Sequence, residues 1–177
     1  MKKSQKELFD IAARYIILIL ISFSGLWIFY FIFSPITIYL TAFLLKIFFQ
    51  TSVIGDVIVL KNHFLIQMIN ACVAGSAYYL LFILNLSIPK INIKKRIKMI
   101  CFAFGSFLVV NILRIIVLTT IFFYEILWFP LAHKLLWYAG SVILVVGIWF
   151  LEVKLFKIKQ IPFYTDIKFL YKKSNLK

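Results

Sequence analysis

From about Ile11 to Phe33 the chain carries no charged residue after Arg14, and the run is long enough to cross a hydrocarbon core about 30 Å thick. Three later runs have comparable length and character: about Ala71 to Ile88, about Met99 to Phe123, and about His133 to Leu151. Inside a bilayer no water satisfies the backbone, so helix is the form open to such segments. Composition agrees, since 64% of the 177 residues are hydrophobic and mean hydropathy is +1.02, against roughly 45–50% apolar content in an ordinary soluble domain. The expected fold class is an all-α polytopic membrane protein with about four transmembrane helices.

A net charge of +14 raises nucleic acid as a partner, and the placement of the charges argues against it. Sixteen of the twenty Lys and Arg lie before the first apolar run (Lys2, Lys3, Lys6, Arg14), in the loop Lys90 to Lys98, or from Lys154 onward. That is a positive-inside pattern, not a basic face with interleaved aromatics, so the expected partners include membrane lipids and no nucleic acid. The first run is read as a retained signal-anchor helix, because it is too long for a signal peptide and no small-residue cleavage site follows Phe33. Both termini and the Lys90 to Lys98 loop are then cytoplasmic in a multi-pass plasma-membrane protein. The division expected is a basic N-terminal segment 1–10, one transmembrane domain 11–156, and a basic cytoplasmic tail 157–177. The tail serves orientation and solvation, or else binds anionic headgroups.

Two segments fall between the first and second crossings. Pro35 to Phe49 is apolar and helical in character but holds Lys46 and is short of a full span, so an interfacial or re-entrant helix on the outer side is expected. Val57 to Leu60 and Phe64 to Ile69, separated by Lys61-Asn62-His63, suit a small hairpin.

Arg114 is the residue that lipid should exclude. Counted from Lys98 at 1.5 Å per residue it lies about 24 Å up a core of about 30 Å, in the outer third. A guanidinium there costs at least about 2.5–3.5 kcal/mol, which pairing or function must offset. Asn111, three residues earlier, shares its helix face. One reading has Arg114 snorkel outward or pair with Glu125 or Asp56 to staple helices; the other places it in a site.

Cys72 begins the second crossing from the outer side, near a helix N-terminus, where the dipole and a neighbouring arginine favour a thiolate. A cysteine in an apolar helix is otherwise a small hydrophobe, the reading that suits Cys101. The two cysteines face opposite sides, so no disulfide is expected. Gly75 and Ser76 are small enough for close helix packing; Ser76 as a nucleophile lacks the glycine-flanked pattern of rhomboid-like enzymes. His133 opens the last crossing on the outer side as a candidate acid/base, with His63 its rival. Cys72, Arg114 and His133 thus come from three helices to one half of the membrane, as nucleophile, fixed cation and proton carrier. No metal-ligand spacing, phosphate loop or dinucleotide signature is present, and no cofactor is expected.

Over roughly Gly55 to Leu151 the chain resembles the exosortase/archaeosortase family of membrane-embedded cysteine transpeptidases. The resemblance rests on Ala71-Cys72 with Gly75-Ser76 after it, the Asn-x-x-Arg-Ile helix Asn111 to Ile115, and His133 followed by Gly140. Where the family commonly has Cys-Ser-Gly or Cys-Thr-Gly, this chain has Cys72-Val73-Ala74-Gly75. The resemblance implies cleavage of C-terminal sorting signals of secreted proteins, each a short motif, a transmembrane helix and a basic cluster. It implies an acyl-enzyme on Cys72 and transfer to an amine such as an aminolipid headgroup. Cys72, Arg114 and His133 would be catalytic and Asn111, Gly75 and Ser76 supporting. The alternative is a non-enzymatic transporter or assembly subunit in which Arg114 pairs helices.

Overall fold

The computed structural model describes residues 3–23, 26–60, 64–124, 127–158, 167 and 171. His63 with the rest of the Lys61–His63 loop, Glu125, and the 157–177 tail apart from positions 157, 158, 167 and 171 lie outside the described residues. The chain is mostly helical, and among the described residues three helices are long and apolar enough to span a membrane: Trp27–Leu45, Ile93–Phe123 and Phe129–Leu155.

The first apolar run is not one helix. It divides into α1 (Lys3–Phe23) and α2 (Trp27–Leu45), with Leu26 in a turn. Pro35–Phe49 is correspondingly not a separate interfacial element, because Pro35 lies inside α2. A proline removes one backbone donor, and an apolar helix packed among neighbours accommodates the loss. Lys46 follows α2 as its C-terminal cap residue, its N–H bonded to the Ala42 carbonyl at 2.9 Å, so the charge falls beyond the apolar stretch.

After α2 comes a three-stranded antiparallel sheet, β1 (Thr51–Ile54), β2 (Val57–Leu60) and β3 (Leu65–Gln67), in that spatial order. The β2–β3 pair is the expected hairpin; β1 adds to it through the two-residue turn Gly55-Asp56, where Gly55 takes φ +60°. The run Ala71 to Ile88 forms α3 (Asn70–Val73) and α4 (Gly75–Leu86), broken at Ala74, which is left-handed at φ 56°, ψ 46°. Then follow α5 (Ile93–Phe123), α6 (Phe129–Leu135), a π-helical turn (Leu136–Gly140) and α7 (Ser141–Leu155).

Aromatic packing holds the middle of the bundle. Phe33 of α2 stacks on Tyr78 of α4 at 3.6 Å between ring centroids, and Phe104 of α5 meets both rings edge-on. A second cluster joins Ile38, Ala42 and Leu45 of α2 to Ile58, Leu60 and Met68 below the sheet and to Ile115 of α5. At Gly75 two helices meet closely: a Cβ there would lie 2.7 Å from the Tyr30 ring, so any larger residue would have to push that ring aside.

The end of the bundle away from the sheet is held by buried polar groups. Arg96 donates to the carbonyls of Asn85 and Leu86, both at 2.8 Å, and of Ile88 at 2.9 Å. It thereby satisfies the carbonyls that the end of α4 leaves open. Asn85 Nδ2 also donates to the fully buried Glu152 carboxylate at 3.0 Å, tying α4 to α7. Arg14 of α1 reaches the same Leu86 carbonyl and lies 3.2 Å from Asp10.

Candidate functional site

Beside β3 a cavity of about 400 Å³ is bounded by that strand, the start of α3, the second half of α5, and α6 with the π-helical turn. Cys72, Arg114 and His133 all line it. The three residues that sequence placed in one half of the bundle are thus gathered around a single space, most of whose remaining wall is apolar.

Cys72 is the third residue of α3, a single helical turn that leaves Ile69 in extended conformation. Its N–H bonds to the Ile69 carbonyl at 2.8 Å, and its thiol is partly buried. Immediately after it the helix breaks, exposing the carbonyls of Cys72 and Val73. Asn111 Nδ2 takes up both, at 2.9 and 3.4 Å. Asn111 is 1% exposed and does not line the cavity, so its part is to hold the backbone that carries the thiol.

One turn further along α5, Arg114 is 8% exposed. Its Nη1 donates to Ser141 Oγ at 2.7 Å and reaches the Leu136 carbonyl at 3.5 Å. The π-helical turn, a widening that recurs at functional sites, brings both acceptors to the same nitrogen. The guanidinium and the Cys72 thiol line the same cavity. Among the described residues no carboxylate lies within ion-pair distance of Arg114, and its buried Nε has no hydrogen-bond partner. Pairing with Asp56 is therefore not found.

His133 is exposed on α6, its ring in a stack with Phe129 (5.6 Å) and Trp137 (6.5 Å). It makes no hydrogen bond to Cys72 among the described residues. Ser76 sits on the exposed side of α4 and does not line the cavity, so the structure does not join it to the site. Gly75 is likewise outside the cavity; the contact its lack of a side chain allows is with Tyr30. Cys101 is exposed on α5 and does not line the cavity, and both cysteines are free. No group of three or more potential metal ligands exists among the described residues.

Sequence reading missed Ser141, the β3 wall and the Phe129 and Trp137 platform. The last had a signal: Phe129, His133 and Trp137 recur at four-residue spacing, which places them along one helix face. Comparison with protein-family models, with curated proteins and with solved structures gave no match to this chain. Fold and site together define a mostly helical chain, with described helices long and apolar enough to cross a membrane and a thiol, a guanidinium and an imidazole around one apolar cavity.

Proposed function

We propose that this chain is a membrane-embedded cysteine transpeptidase of the exosortase/archaeosortase kind, acting on secreted proteins that end in a short motif, an apolar helix and a basic cluster. The observation that carries the reading is the convergence of Cys72, Arg114 and His133 on one cavity. A second supports it. The left-handed residue is Ala74, the third of Cys72-Val73-Ala74, which is where the Cys-x-Gly pattern of that family puts the residue best suited to positive φ.

In this reading His133 accepts the Cys72 thiol proton and the sulfur attacks the scissile carbonyl, forming a C–S bond. Arg114 holds the oxygen as it becomes an oxyanion. The C–N bond breaks, the leaving amine takes the proton from His133, and the acyl group stays on Cys72 as a thioester. An incoming amine, such as an aminolipid headgroup, then attacks, passes its proton to His133, and releases the thiolate; water in its place gives hydrolysis. Closing the His133 to Cys72 approach upon substrate binding is in keeping with catalytic hydrogen bonds that tighten only in the complex.

The orientation proposed keeps both termini in the cytoplasm with four crossings: α2, α3–α4, α5, and α6–α7. Here α2 replaces the run from Ile11, α1 lies at the inner interface, and the cavity faces the outer side.

Co-expression with a secreted reporter bearing an apolar C-terminal helix and basic cluster tests the reaction. Cys72→Ala abolishes processing; processing that survives the substitution overturns the mechanism. Product mass separates transfer from hydrolysis.

The non-enzymatic reading, a transporter or assembly subunit, has one observation in its favour. Arg114 bonds to Ser141 and Leu136 across the α5–α7 interface, as a helix-pairing residue does. It requires that Cys72→Ser change nothing.

A further inference from the structure

The sheet has two outer strands, β1 and β3, and they differ in what they face. β1 lies along α2, where Thr51 Oγ1 bonds to the Ala42 carbonyl at 3.2 Å. The residues flanking β3 bond toward the β2 side, Leu60 N–H donating to Phe64 O and Met68 N–H to Asp56 O in the turn before β2, both at 2.9 Å. Antiparallel pairing alternates, so Ile66 also faces β2 while the backbone groups of Leu65 and Gln67 face away from it. Among the described residues the N–H groups of Leu65 and Gln67 and the Leu65 carbonyl have no backbone partner.

That edge opens into the cavity. All five residues from Leu65 to Ile69 line it, whichever way their side chains alternate, as happens when a strand presents its edge and not its face. Chain direction leads from this edge into Asn70 and Cys72, and Arg114 lines the same space as a buried cation with no carboxylate in ion-pair reach among the described residues. An unpaired strand edge is a template for another strand, and natural proteins otherwise cover it or charge it. Here nothing charged stands on it.

We propose that β3 is the substrate-docking strand: an extended peptide segment adjoining the scissile bond adds to its free edge as a fourth strand. The added strand presents a carbonyl oxygen to Arg114 and its carbon to Cys72. Main-chain hydrogen bonds hold such a segment regardless of its side chains, and the apolar wall opposite reads alternate residues. At about 3.3 Å per residue, the edge from Leu65 to Ile69 takes about four residues of substrate. The occupant fits in charge, because a peptide carbonyl brings the negative end of a dipole to a cation with no counter-ion among the described residues, which an acyl chain of lipid does not.

The proposal rests on the transpeptidase reading for the identity of its occupant, and two measurements separate the fates of the two. In Cys72→Ala protein, a photoreactive residue at position 65 or 67 is expected to crosslink to the reporter just ahead of its apolar helix, while one at exposed position 54 on β1 does not. In otherwise native protein, Leu65→Pro removes an outward N–H without touching the β2 ladder, and is expected to slow reporter processing about tenfold and to abolish the crosslink from position 67. Crosslinks from 65 and 67 that run only to lipid or to a second copy of the chain overturn the proposal, as do equal crosslinks from position 54 or wild-type processing by Leu65→Pro. Cys72-dependent processing without the edge crosslink removes the docking strand and leaves the enzyme. The edge crosslink without Cys72-dependent processing does the reverse.

Discussion

Ala74 shows how a single backbone conformation marks the site. A non-glycine residue in the left-handed region costs about 1–2 kcal/mol, and here it separates the turn carrying Cys72 from α4. Ala74→Gly should stabilise the protein by about 1 kcal/mol or less, visible as a raised thermal midpoint in detergent, with processing retained. At Arg114, lysine keeps the charge but loses the planar fork. Arg114→Lys should lower the processing rate about 10²–10³-fold, the range for removing an oxyanion donor, while the helix-pairing reading expects lost stability and no rate effect beyond it. Ser141→Ala removes the 2.7 Å acceptor from a buried guanidinium and should cost about 1–3 kcal/mol in chemical denaturation. Cys72, Asn111, Arg114 and His133 were legible because a polar or reactive side chain in an apolar run stands out. Ser141 was not, since a serine after a glycine is ordinary and its importance comes only from the π-helical turn that aims it. Ser76, expected beside Cys72, lies on the exposed side of α4, and like Gly75 it does not line the cavity.

At the level of elements, apolar length was read correctly as helix but its division was not. The run from Ile11 to Phe33 hid a helix boundary marked by the turn at Leu26, whereas Pro35, the stronger textual breaker, is carried within α2. Hydropathy does not register where neighbouring helices support a missing hydrogen bond. The turn Gly55-Asp56 between Val53-Ile54 and Val57-Ile58 was a readable hairpin signal, and it supplies the strand that the expected hairpin lacked. Close contact between α2 and α4 gives a test of element packing. Gly75→Ala should destabilise by about 1–3 kcal/mol by pushing on the Tyr30 ring, and in a double-mutant cycle Tyr30→Ala should cost less in the Gly75→Ala background than alone.

For the whole molecule, the distribution of charge carried most of the orientation argument, and thiol accessibility checks it. In intact cells a membrane-impermeant maleimide should label Cys72 and not Cys101, and after permeabilisation Cys101 should react as well; the reverse pattern would invert the proposed topology. The polar groups at the end away from the sheet bear on when this architecture becomes complete during synthesis. Arg96 follows Asn85 by 11 residues, so its clamp on the end of α4 is a local contact that forms as soon as the start of α5 has been made. Glu152 meets Asn85 across 67 residues, and that contact must wait until α7 has been made. Until then Asn85 holds its side chain without the carboxylate, and Arg114 lacks Ser141. Growth of the chain therefore brings the thiol and the guanidinium to their places first and leaves the arginine's anchor to the last helix, so that a nascent chain would carry an unfinished site until α7 docks.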